Sequence, residues 1–197
     1  MNNTIEAYRG SLPEDAWPNF SLGKHGVSRV ATRTQPKLAS TLNLLLMLLP
    51  GTPITYFGEE IGMVDVNGEM MQWNNLESEE ENEEKRRTSL YLEGASLRES
   101  ETILFGTTDI RVVDDVFILT RVKKGNPGYI FLSNLGNNSS TINVKEMEPK
   151  IDNMAEKGIL TISIPQDAME VGDTVAMGSI KLPPETTYLV TFVPDFD

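Results

Sequence analysis

Between Trp17 and Phe57 the sequence runs from an extended stretch through a helical one to a second extended stretch, an order that leaves few folds open. Trp17-Pro18-Asn19-Phe20-Ser21-Leu22 is the first extended run, and Gly23 to Gly26 turns it into a helix that carries Val27, Val30 and then Leu38 to Leu49. Pro53-Ile54-Thr55-Tyr56-Phe57 is β-branched and aromatic, bounded by Gly51 and Gly58, and reads as a buried strand. Strand, helix, strand in this space is a βαβ unit, which implies parallel strands and a right-handed crossover. Leu42 to Leu49, the most apolar stretch, falls well short of the roughly 20 residues a membrane-spanning helix needs. Ended by Pro50-Gly51, it reads as a buried helix.

The flanks differ in character. Thr4 to Leu12 places Ile5, Tyr8 and Leu12 on one helical face before Gly10 and Pro13 close it, and reads as the tail of a helix that begins upstream. No basic stretch followed by an apolar one opens the chain, so no signal peptide is expected at this start. Glu77 to Arg87 begins in glutamates and closes on Lys85-Arg86-Arg87, so Glu81 with Lys85 and Glu83 with Arg87 sit at i, i+4 on a helix that leads into Leu90 to Leu97. That acidic run reads first as a solvated helix start favoured by the macrodipole, with a divalent cation or basic partner site as the alternative.

From Thr102 onward short β-rich runs alternate with turn chemistry. They are Ile103 to Phe105, Ile110 to Val113, Val116 to Val122, Tyr129 to Leu132, Thr141 to Val144, Ile159 to Ile164, Thr174 to Leu182 and Thr187 to Val193. Gly125-Asn126-Pro127-Gly128 and Gly136-Asn137-Asn138 supply turns between them. The expected division is therefore 1–101, an α/β part, and 102–197, an antiparallel β domain.

The net charge of −12 argues against nucleic acid, whose binding rests on clustered positive surface. With no cysteine, neither a disulfide framework nor a thiolate metal site is open, and no cofactor or metal is expected.

Leu49-Pro50-Gly51-Thr52-Pro53-Ile54-Thr55-Tyr56-Phe57-Gly58-Glu59-Glu60-Ile61-Gly62-Met63 resembles the stretch around the eighth strand of α-glucosidases of the α-amylase family. Trp17-Pro18-Asn19-Phe20 to Arg33 resembles that family's seventh strand and the motif after it, and Met71-Gln72-Trp73 resembles a segment of the following loop. The resemblance implies the C-terminal portion of a (β/α)8 TIM barrel, with its last two strands and helices, followed by an antiparallel β-sandwich domain. It also implies that the first six strands are missing, and with them the nucleophilic aspartate and the acid/base glutamate of the fourth and fifth strands, which a retaining glycosidase requires.

Active members carry Asn-His-Asp at the seventh strand, with an arginine three residues on; here Lys24-His25-Gly26 is followed by Arg29. Gly26 offers neither charge nor hydrogen bond where the family's aspartate helps hold an oxocarbenium-like ring. Removing one transition-state donor typically costs roughly 3–4 kcal/mol, so the resemblance implies an eroded site. His25 and Arg29 are the candidate substrate-binding residues, both vestigial, with packing of the imidazole and a salt bridge as the plainer readings. Glu59 and Glu60, adjacent in an extended segment, should point to opposite sides and support the barrel rim. Trp73 could stack on a sugar, and Trp17 and Trp73 equally serve as anchors.

Sequons occur at Asn2, Asn19, Asn137 and Asn138. Asn137 and Asn138, in a turn, are the glycosylation candidates; Asn19, in a barrel strand, is not. The eroded motif fits the family's noncatalytic branch, the heavy chains of amino-acid transporters. Such a heavy chain escorts a membrane transporter light subunit, with its ectodomain at the cell surface. A degenerate or truncated α-glucosidase or maltase acting on an α-glucoside, secreted rather than anchored, is the rival. A noncatalytic glycan-binding module is a third reading, to which 7% aromatic residues lend little.

Overall fold

The computed structural model describes residues 2–65, 71, 79–147 and 155–194. Two compact units emerge, Asp15–Glu99 and, separately, Met1–Glu14 with Ser100–Asp197.

In the first unit the expected βαβ order is present. Strand β1 (Asn19–Ser21) pairs in parallel with β2 (Thr52–Ile54), Asn19 opposite Thr52 and Ser21 opposite Ile54. The single long helix read from the sequence is two, α2 (Val30–Arg33) and α3 (Pro36–Leu48). Its break follows from Pro36, which disfavours helical backbone in the residue before it: Gln35 is extended at ψ 150°. Thr34 closes α2 by donating from both its backbone N–H and its hydroxyl to the Val30 carbonyl, at 2.9 and 2.7 Å. Leu44 to Leu49 are all buried, as the apolar run required.

The end of α3 leaves carbonyls with no intrahelical partner. Arg98, arriving from the helix α4 (Glu79–Ser96) and the 3-10 turn after it, donates to the carbonyls of Met47 and Leu49 at 3.0 Å each and of Gly51 at 2.5 Å. Burial lowers the pKa of that guanidinium. Strand β2 stops at Ile54, short of the expected Phe57, and Glu59–Ile61 is a 3-10 turn between Gly58 and Gly62, both left-handed. Glu59 and Glu60 therefore do not alternate across a strand: Glu59 is 2% exposed and Glu60 half-buried. Of the acidic run, Glu77 lies outside the described residues, as does the side chain of Glu81. Glu83 pairs with Arg86, three residues on, at 2.6 Å.

The second unit opens with α1 (Asn2–Ser11), which buries Ile5 and packs against β3 (Thr107–Val113). Six strands make one sheet in the order β3, β4 (Val116–Val122), β5 (Gly128–Asn134), β10 (Thr187–Phe192), β7 (Lys157–Ile164), β8 (Thr174–Ala176), every pair antiparallel. Strand β6 (Ser140–Ile142) pairs with β9 (Ile180–Leu182) in a separate ladder. Alternate residues Val116, Ile118, Ile130, Leu132 and Leu160 meet Ile142, Ile180 and Leu182 in one apolar core between the two ladders.

Three expectations fail here. Ile103 to Phe105 lies in a helix, α5 (Glu101–Phe105), because Ser100 caps it, accepting from the Thr102 N–H at 3.2 Å. The far end of α5 is held by Arg121, fully buried, which donates to the carbonyls of Thr102 and Gly106 at 3.2 Å and of Ile103 at 2.5 Å. Thr174 to Leu182 is two strands in different ladders, parted by a turn in which the Ser179 N–H bonds the Ala176 carbonyl. Strand β6 ends at Ile142, and Val144–Met147 is a short helix, α6.

Candidate functional site

The site grows from the turn after β1 and the 3-10 turn after β2, which the parallel pairing brings side by side. Lys24, His25 and Gly26 form an exposed turn, closed by a 3.2 Å bond from the Val27 N–H to the Lys24 carbonyl. Gly26 sits at φ +78° with open space where a Cβ would project. A cleft of ≈ 380 Å³ lies against Gly26, Ser28, Arg29, Tyr56, Met63 and Asp65.

Arg29 is 5% exposed. Its guanidinium donates to the Phe57 carbonyl and lies 4.4 Å from the Phe57 ring centroid and 5.2 Å from that of Tyr56. Its backbone N–H reaches the Asp65 carboxylate at 3.1 and 3.2 Å. Asp65 also accepts from the Ser28 hydroxyl, and its own N–H donates to Thr32 Oγ1 at 2.7 Å. Those bonds, Ser28 first and the Arg29 N–H second, hold the Asp65 carboxyl below its ordinary pKa. The chain ahead of α2 is thereby stapled to the segment after the 3-10 turn.

Behind the cleft wall lies a second polar cluster. Glu59 Oε2 accepts from the Tyr56 N–H at 2.9 Å, and Asn43, from the middle of the apolar α3, donates to the Glu59 carbonyl at 2.8 Å. Glu59 Oε1 and Asn43 Oδ1 are buried without a hydrogen-bond partner. Burial pushes the Glu59 pKa up, opposed by the Tyr56 N–H and by the charges of Arg29 and Arg33.

The turn thus brings Gly26 and Arg29 to the cleft, while His25 is exposed and is not among the residues that line it. Trp17 is 56% exposed and donates to Thr52 Oγ1 at 3.0 Å; Trp73 lies outside the described residues. Asn19 is in β1 as expected, and Asn137 and Asn138 are exposed between β5 and β6. Sequence reasoning misses Asp65 and the Asn43–Glu59 cluster. Asn43 does leave a signal, as a polar residue inside an apolar helix run.

Asp65 is the single carboxylate among the described residues lining the cleft, and its oxygens are already engaged by Ser28 and Arg29. A paired nucleophile and acid, about 5 Å apart in a retaining glycosidase, is not assembled from the residues that line it. Among the described residues no three His, Asp or Glu come together as a metal site, and no helix is long and apolar enough to cross a membrane.

Residues 1–97 match the family model described as alpha amylase, catalytic domain. The rat amino acid transporter heavy chain SLC3A1 is 44% identical over 63 residues, 32% of this chain and 9% of the heavy chain. The salivary alpha-glucosidase of Anopheles gambiae is 39% identical over 72 residues, 36% of this chain and 12% of that enzyme. Matched stretches therefore span about a tenth of these relatives. Among solved structures, isomaltulose synthase from Klebsiella sp. LX3 superposes on 98% of this chain with a TM-score of 0.71 at 14% identity, using 46% of its own length. An Anoxybacillus alpha-amylase covers the whole chain with a TM-score of 0.69 at 16% identity, using 42% of its own length. Both likenesses concern the fold.

Proposed function

We propose, on the premise that residues 1–97 belong to the alpha-amylase family, that this chain is the C-terminal part of a noncatalytic heavy-chain ectodomain that escorts an amino-acid transporter light subunit. On this reading 1–101 is the end of a (β/α)8 barrel and 102–197 its β domain, displayed at the cell surface.

The carrying observation is the turn at the cleft. Gly26, with no side chain and a left-handed backbone, stands where the family motif has a transition-state aspartate, and Lys24 beside it adds positive charge. A cationic transition state gains nothing from either, and losing the carboxylate should raise the barrier by at least the roughly 3–4 kcal/mol that removing one neutral transition-state hydrogen bond costs. His25 and Arg29 are vestigial sugar-binding positions, His25 turned to solvent and the Arg29 guanidinium held by the Phe57 carbonyl and the rings of Tyr56 and Phe57.

The rival reading, a degenerate α-glucosidase or maltase acting on an α-glucoside, is favoured by the insect relatives, of which Maltase A1 of Drosophila melanogaster is 42% identical over 62 residues. The deciding experiment expresses the whole protein that contains this chain in animal cells with and without a transporter light subunit. It follows surface arrival of that subunit, amino-acid uptake, and hydrolysis of a chromogenic α-glucoside. The expected result is light-subunit delivery with hydrolysis at background. Hydrolysis well above background, with no effect on the light subunit, would establish the maltase reading in its place.

A further inference from the structure

Asn134 is the hub of the loop that carries the two exposed sequons. It is 1% exposed. Its Nδ2 donates to the carbonyls of Asn138 at 2.8 Å, Pro183 at 2.9 Å and Leu182 at 3.2 Å, and its Oδ1 accepts from the Gly136 N–H at 3.0 Å. Outer bonds, from the Leu135 N–H to the Asp115 carbonyl and from the Glu185 N–H to the Gly136 carbonyl, tie the same loop to its neighbours. The loop is thus held in one shape while Asn137, Asn138 and Ser139 face solvent.

We propose that this loop carries one N-linked oligosaccharide, on Asn137 and not on Asn138, an inference that rests on the extracellular part of the reading above. The two sequons overlap but differ in what the fold must surrender. An acceptor enzyme grips the asparagine together with the hydroxyl two residues on. For Asn137 that hydroxyl is Ser139, exposed and outside any strand. For Asn138 it is Ser140, half-buried, in β6 and opposite Leu182 in the ladder. Engaging Asn138 therefore breaks the first β6 pair as well as the Asn134 bond to the Asn138 carbonyl; engaging Asn137 disturbs the second alone. Once a branched sugar stands on Asn137, it screens the adjacent amide from a second transfer.

The chemistry balances with a lipid-linked oligosaccharide pyrophosphate as donor. The Asn137 Nδ2 bonds the donor's anomeric carbon, and the bond from that carbon to the pyrophosphate breaks. The lipid pyrophosphate leaves with the electron pair, and the amide gives up one proton.

The full chain, secreted from animal cells behind a supplied leader, tests this directly. Peptide-N-glycosidase in ¹⁸O water converts a glycosylated asparagine to labelled aspartate, which peptide mass spectrometry locates. The expected label is on position 137 with none on 138, and Ser140→Ala, which removes the Asn138 sequon alone, keeps the label on 137. A label on 138, alone or with 137, overturns the assignment; so does a wild-type chain with no label in this loop. Because the leader is supplied, that failure leaves the transporter reading to its own test of uptake and hydrolysis.

Discussion

Glu59 places its Oε1 oxygen, buried and without a hydrogen-bond partner, in the space that a Cβ on Gly23 would need. The two residues come from different turns, so the fit holds the end of β1 against the 3-10 turn after β2. Gly23→Ala must push Glu59 aside or shift backbone, and overpacking of this kind costs about 1–3 kcal/mol. The urea midpoint of the chain should fall accordingly. In a Glu59→Ala background the same change should cost clearly less, since the two sites share one space; equal costs in both backgrounds would show that the contact carries no energy.

Two carboxyls of this unit give opposite pH signatures. Burial raises Glu59, so the folded state holds its proton more tightly than the unfolded state. Stability is therefore highest below the ordinary value of 4.5 and declines as pH rises from there to the raised value. Asp65 is lowered by its bonds from Ser28 and Arg29, so its contribution is present above the ordinary 3.8 and is lost as pH falls through the lowered value. Stability measured against pH should show the first slope flattened in Glu59→Gln alone and the second in Asp65→Asn alone. An unchanged profile in Glu59→Gln would mean that Glu59 ionises normally in the fold.

What can be read from the sequence is whatever depends on local pattern. Val116 to Val122 is bounded there as it folds, because apolar residues run between an Asp114-Asp115 turn and a lysine pair. Strand β2 is overrun into Tyr56 and Phe57, whose aromatic character suits a strand but whose rings here serve Arg29. The break before Pro36 and the Ser100 cap are present in the sequence as a proline and a serine, and the apolar residues around them outweigh both. Glu59 is beyond reach: its burial depends on Gly23, Asn43 and Tyr56, three positions that meet only once the parallel strands have paired. The split of Thr174 to Leu182 between two ladders depends likewise on partners, β7 for one half and β6 for the other.

Arg98 anchors the carbonyls left open by the end of α3, and no other side chain type could span Met47, Leu49 and Gly51 with a rigid fork. Arg98→Met keeps the stem and removes the donors, leaving backbone acceptors unpaired at a cost of roughly 2 kcal/mol. Arg98→Lys should recover only part of that, because one ammonium cannot reproduce the planar geometry. Thermal denaturation of the three proteins checks the order wild type, lysine, methionine; a lysine variant as stable as wild type would assign the effect to charge alone.

His25 and Arg29 are the two positions that the proposed reading treats as vestigial for sugar binding, and the fold gives them unlike surroundings. A residue retained for binding should influence a ligand-induced shift in melting and little else. A residue retained for structure should influence melting with no ligand present. His25 is exposed and lies outside the cleft lining, so His25→Ala should move stability by less than about 0.5 kcal/mol. Arg29 is buried, bonds the Phe57 carbonyl and covers two aromatic rings, so Arg29→Lys should lose about 1–3 kcal/mol with no sugar in solution. Added glucose should shift the melting of neither variant nor of wild type. A glucose-dependent shift in wild type that vanishes in His25→Ala would restore the exposed imidazole to a binding role and weaken the noncatalytic reading at its base.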